Sequence, residues 1–118
     1  MASVHTNFDS MYAGETRIIT VSVTDSANNA KDISSSTITG VMKTGNSDDS
    51  ETLVNFDNVT IGNIATTSVT GDFEATIDPA DTRGRDTGLV YLEFRIVDTD
   101  SAEDVSVFGY MLISESQT

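Results

Sequence analysis

Two runs of carboxylates carry the side chains for chemistry. "DTDSAED" holds Asp98, Asp100, Glu103 and Asp104, and "NSDDSE" holds Asp48, Asp49 and Glu51. Calcium takes six to eight oxygens converging from one loop or from adjacent loops. Asp98-x-Asp100 begins like a calcium loop, but Ala102 stands at the fifth position, Glu103 replaces the glycine that should follow, and the distal bidentate glutamate is missing. A solvated hairpin between two strands accounts for the same cluster. No metal or other cofactor is therefore expected, and a calcium ion, if one bound, would take Asp98, Asp100 and Asp104.

Catalytic patterns are equally thin. A glycosidase needs two carboxylates facing each other across a sugar cleft, and the aromatic platforms that commonly line such clefts are scarce: there is no tryptophan, and the tyrosines are Tyr12, Tyr91 and Tyr110. The one histidine, His5, lies in a poorly patterned N-terminal stretch that supplies neither a pocket nor an orienting partner. The spacings of serine-hydrolase elbows, zinc proteases and phosphate-binding loops are absent. With no cysteine, disulfides, zinc thiolates and thiol nucleophiles are excluded together. No catalytic residue is nominated and no enzymatic activity is expected. The remaining charged stretch is "DPADTRGRDTG", in which Arg83 and Arg85 stand between Asp81 and Asp86. They can grip a partner's carboxylate bidentately or pair with the neighbouring aspartates in an exposed loop.

Any such group must be positioned by β-structure, because helix signals are nearly absent and β-branched residues recur with period two. In "TRIITVSVTD", Ile19, Val21 and Val23 alternate with Ile18, Thr20, Ser22 and Thr24, the pattern of a half-buried strand. "SANN" then turns the chain, and Ile33 plugs the core. "STITGVMKT" places Ile38, Gly40 and Met42 on one face. "GNSDDS" breaks that strand and "ETLVNF" returns, followed by short strands over 59–61 and 64–69. "GDFEATIDP" buries Phe73, Ala75 and Ile77, and Pro79 ends its ladder. The strongest strand, "LVYLEFRIVD", sets Val90, Leu92, Phe94 and Ile96 against Leu89, Tyr91, Glu93 and Arg95. The last, "DVSVFGYMLIS", is apolar on both faces, as a strand covered by a partner would be. Strands at this spacing predict an all-β, two-sheet antiparallel sandwich of about seven strands. Residues 1–13 are expected as an N-terminal arm, 14–114 as the sandwich and 115–118 as a tail.

One domain of this kind fits the 118 residues. A formal net charge of −13 repels phosphate backbones, so no direct nucleic-acid binding is expected. Apolar runs are too short for a membrane-spanning helix, no membrane partner is expected, and the start "MASVHTNFDS" has no signal-peptide pattern, the reading expected of a complete cytoplasmic product.

From Gly14 to Ile113 the chain resembles the small immunoglobulin-like modules of tailed-bacteriophage structural proteins, such as the N-terminal domains of upper baseplate proteins. The resemblance rests on Gly14-Glu15-Thr16; Val21, Val23 and Asp25 of a "VxVTD" strand; Asp32-Ile33; Thr37; Phe73 and Ile77; a corner through Pro79, Asp81, Thr82, Gly88 and Tyr91; Asp98; and Gly109. It implies an immunoglobulin-like sandwich and a non-enzymatic virion component of a tail, baseplate, neck or capsid decoration. Such a component assembles in the host cytoplasm with other virion structural proteins and, as a homo-oligomer, with its own copies. The contacts expected are Val4, Phe8, Met11 and Tyr12 of the arm, Phe108, Tyr110 and Leu112 of the last strand, and Arg83 and Arg85. The alternative is a calcium-assisted adhesion or carbohydrate-binding module.

Overall fold

The computed structural model describes residues 2–6, 8–24, 29–30, 32–33, 36–45, 49–66, 71–83, 88–97 and 105–114. Among them are nine strands, β1 (Ala2–His5), β2 (Met11–Tyr12), β3 (Arg17–Ser22), β4 (Thr37–Lys43), β5 (Thr52–Asp57), β6 (Ile64–Thr66), β7 (Asp72–Ile77), β8 (Gly88–Val97) and β9 (Val105–Ser114), and one short helix, α1 (Pro79–Thr82). They form a β-sandwich. The larger sheet runs β1–β9–β8–β4–β5, with β2 also on β9, and the smaller runs β3–β7–β6. This is the immunoglobulin-type strand order, with the N-terminal strands placed beside the last strand.

Alternation decides which residues meet between the sheets. The predicted inward sets of β3, β4, β7 and β8 are buried, Gly40 alone being half-buried, and Ile33 is fully enclosed as expected. Phe94 sits at the centre, its ring 5.2 Å from Phe56, 5.4 Å from Phe73 and 6.2 Å from Phe8. Gly40 faces it for a physical reason: a Cβ there would lie 2.5 Å from the Phe94 ring. Truncating a ring in such a place typically costs about 3–5 kcal/mol.

The expected arm is not separate from the sandwich. Ala2–His5 pair in parallel with Val105–Phe108, and Met11–Tyr12 with Ile113–Ser114, so the sheet is not purely antiparallel and the strand count rises from about seven to nine. Between these pieces the chain dips inward. Thr6 N–H donates to Phe108 O at 2.9 Å and Phe8 N–H to Tyr110 O at 3.2 Å, and the Thr6 carbonyl fills the space where a side chain on residue 109 would stand. Only glycine admits this crossing.

Two further expectations change. Residues 59–61 form a turn rather than a strand, because the Asp57 carboxylate accepts hydrogen bonds from the Val59 and Thr60 amides. Such an Asx arrangement overrides the β-propensity of Val59 and Ile61. Pro79 does more than end a ladder: it opens α1, where its missing N–H is harmless. Asp78 N–H donates to Asp81 Oδ2 at 2.8 Å, closing that turn.

Candidate docking face

The outer surface of the larger sheet gathers most of the apolar side chains that the core leaves out. Opposite the buried face of β8 and β9, Leu89 pairs with Leu112, Tyr91 with Tyr110, and Glu93 with Phe108. Tyr12, beside Ser114 on β2, extends the row. Leu89 is 63 % exposed, Leu112 46 %, Tyr12 45 % and Tyr110 37 %. The exposed apolar side chains are thus contiguous and not scattered, and tyrosine is a residue type that protein contacts favour.

Ring contacts and a hydrogen bond link the side chains of the stripe. The Tyr91 ring lies 5.6 Å from Tyr110 in an edge-on arrangement and 6.5 Å from Phe108. Its hydroxyl donates to Glu93 Oε2 at 2.8 Å. Partial burial first, and then that carboxylate, push the Tyr91 phenol up to about 12, so it stays neutral and acts as a donor. Charged side chains border the stripe in register: Lys43 is opposite Tyr91, Val41 opposite Glu93, and Thr39 opposite Arg95. Apolar centre and charged border together have the anatomy of a protein contact.

A neighbouring concavity of about 400 Å³ is lined by residues including Val41, Asp57, Glu93 and Arg95, and so carries two carboxylates. The amides of Thr60 and Val59 lower the Asp57 pKa from its ordinary value, which holds it as an anion occupied in its turn. A general acid needs the opposite shift. Glu93 already accepts the Tyr91 hydroxyl.

The sequence-predicted contacts divide. Tyr12, Phe108, Tyr110 and Leu112 lie on the outer face. Met11, expected as a contact, is instead a core residue because it pairs with inward-facing Ile113. Phe8 is likewise drawn against the core by Phe94. Val4 pairs with Val107 through the backbone, and its side chain is outside the described set. Arg83 is exposed at the end of α1 and covers Gly14, its Nε 3.7 Å from the position a Cβ would take there. Arg85, and the calcium candidates Asp98, Asp100 and Asp104, lie outside the described residues. Among the described residues, no group of three or more His, Asp or Glu is placed to hold a metal ion, and no helix is long and apolar enough to cross a membrane.

Leu89 and Tyr91 were not nominated from the sequence. The signal was present: both are large residues on the face of β8 that otherwise carries Glu93 and Arg95. Thr82, also not nominated, is buried and accepts the Gly14 N–H at 2.8 Å, tying the α1 corner to the start of the sandwich. No known family model and no curated protein matches the chain.

Proposed function

We propose that this protein is a non-enzymatic assembly module that docks onto other proteins through the Tyr12–Leu89–Tyr110–Leu112 face, and that it serves as a structural component of a tailed-phage virion, in the tail, baseplate, neck or capsid decoration. The docking half rests on one observation, the contiguous apolar and aromatic stripe on an otherwise acidic molecule. The virion half rests on the resemblance between Gly14 and Ile113, with which the immunoglobulin-type strand order agrees. In this reading the partners are other virion proteins and further copies of the chain, met in the cytoplasm of the infected cell. A net charge of −13 keeps the free protein soluble, and a specific apolar face provides the contact that overcomes it.

The test is incorporation. Leu112→Glu combined with Tyr110→Glu changes only outward-facing side chains, so the isolated domain should melt as the parent does while its copy number in purified particles falls by about tenfold or more, as loss of central interface residues predicts. Normal incorporation of a folded double variant would remove the docking claim. Absence of the parent chain from particles would remove the virion claim.

A further inference from the structure

The N-terminal strands lie on β9, so β3 is left as an edge: among the described residues, no strand pairs with its other side. Val23 N–H donates to Gly71 O at 2.8 Å, in register with the β3–β7 ladder. Hydrogen-bonded pairs alternate in an antiparallel ladder, so Arg17, Ile19 and Val21 bond to β7. The backbone groups of Ile18, Thr20 and Ser22 consequently turn to the open side.

The other edges are blunted. On β5 the Asn63 side chain accepts from Asp57 N–H and donates to Asn55 O, both at 2.9 Å, replacing a neighbouring strand with one amide. β6 has three residues, and the N-terminal edge is interrupted between β1 and β2. β3 offers six consecutive residues with no proline and no bulge, and its one charged side chain, Arg17, stands at the first of them. Along it runs a groove of about 470 Å³ whose apolar lining includes Phe8, Ile19, Val21 and Val107. A strand added to β3 would set alternate side chains into this opening between the sheets.

We infer that the β3 edge is a second binding site, which takes an extended partner segment alternating apolar and basic residues. Main-chain bonds to Ile18, Thr20 and Ser22 would hold it, as in strand addition generally, with its apolar side chains on Phe8, Ile19, Val21 and Val107. The basic preference comes from charge. The solvent face of the smaller sheet carries Asp72 and Glu74 on β7, Asp9 lies at the groove's margin, and among the described residues the one cation lining the groove, Arg17, is 3.6 Å from Asp9. At −13 overall, a second copy of the chain is a poor occupant. This inference is independent of the outer face, which lies on the other sheet.

The test uses the full chain and a blocked heptapeptide of alternating lysine and valine, read by amide hydrogen exchange. Peptide addition should slow exchange at Ile18, Thr20 and Ser22 by about tenfold or more while leaving Ile19 and Val21 unchanged, since one or two new backbone bonds are worth that much. Methylating the peptide's edge-facing amides should abolish the effect. Thr20→Pro, which removes an N–H that β7 does not use, should weaken binding roughly five- to tenfold; if that variant does not fold, the methylated peptide decides alone. Equal protection by a glutamate–valine peptide would overturn the charge assignment. Protection of the three amides that rises with protein concentration in the absence of peptide would overturn the choice of occupant, and no protection at all would overturn the site.

Discussion

Gly109→Ala should be the most damaging single-atom-group addition in the last strand. A Cβ at residue 109 would lie 1.6 Å from the Thr6 carbonyl oxygen and 3.3 Å from the Phe8 ring. Ordinary contact needs roughly twice the first distance, so the N-terminal crossing must lift away. Its two anchoring bonds, Thr6 N–H to Phe108 O and Phe8 N–H to Tyr110 O, flank residue 109 and cannot survive that displacement together. At about 1 kcal/mol each, plus about 1–2 kcal/mol for partial withdrawal of Phe8 from the Phe94 cluster, the loss is about 3–4 kcal/mol. That is a large part of the ~5–15 kcal/mol typical of a domain. Urea unfolding measures it, with amide exchange at Thr6 and Phe8 as the local readout. In a chain lacking residues 1–8 the same substitution should cost little, because the obstacle is gone. A loss below about 1 kcal/mol in the full chain, or an equal loss in the truncated one, would refute the crossing beneath Gly109.

Other consequences follow from single contacts. Thr82→Val leaves the Gly14 N–H without its acceptor and should cost about 1–3 kcal/mol, with Thr82→Ser close to the parent in the same urea titration. Asn63→Ala uncovers Asp57 N–H and Asn55 O on β5; stability should fall by about 1–2 kcal/mol, and sedimentation should show new concentration-dependent association through the bared edge. Tyr91 has a folded-state pKa raised from 10.0 to about 12, so its neutral phenol favours the folded state. That contribution is complete below pH 10 and is lost as pH rises through about 12. Phenolate absorbance should therefore show a late step from Tyr91, and Tyr91→Phe should remove that step and part of the alkaline loss of stability.

The strands with unbroken alternation were legible in the sequence. In β3, β4, β7 and β8 one face is apolar and packs on Phe94 or its neighbours, and period two alone identifies it. The α1 corner was legible only as a corner through Pro79, Asp81 and Thr82, because what those side chains bond, the amides of Asp78 and Gly14, depends on the fold. What was not legible was long range. Met11 read as an arm residue because β2 is two residues long, too short for any period, and its burial comes from pairing with Ile113 about a hundred positions away. Gly109 was legible only as the glycine of the last strand on which the resemblance draws, because nothing local reveals the Thr6 carbonyl beneath it. Val59 and Ile61 misled in the opposite direction, since their β-branched shape suggested a strand while the Asp57 carboxylate had captured the backbone. On the candidate face, Phe108, Tyr110 and Leu112 stood out in the sequence because the last strand is apolar on both faces, and Tyr12 because it lies in the N-terminal segment. Leu89 and Tyr91 satisfied the same criterion, but the strength of their strand's buried face drew attention away from its outer one.

The central claim is that the outer face of the larger sheet is covered in the assembled state. Hydroxyl-radical footprinting of the chain, free and within purified particles, tests it side chain by side chain. Tyr12, Leu89, Tyr110 and Leu112 should be labelled in the free protein and strongly protected in the particle, while Val59 and Ile61, exposed on the β5–β6 turn, remain labelled in both. Equal labelling of Leu89 and Leu112 in the two states would contradict the account.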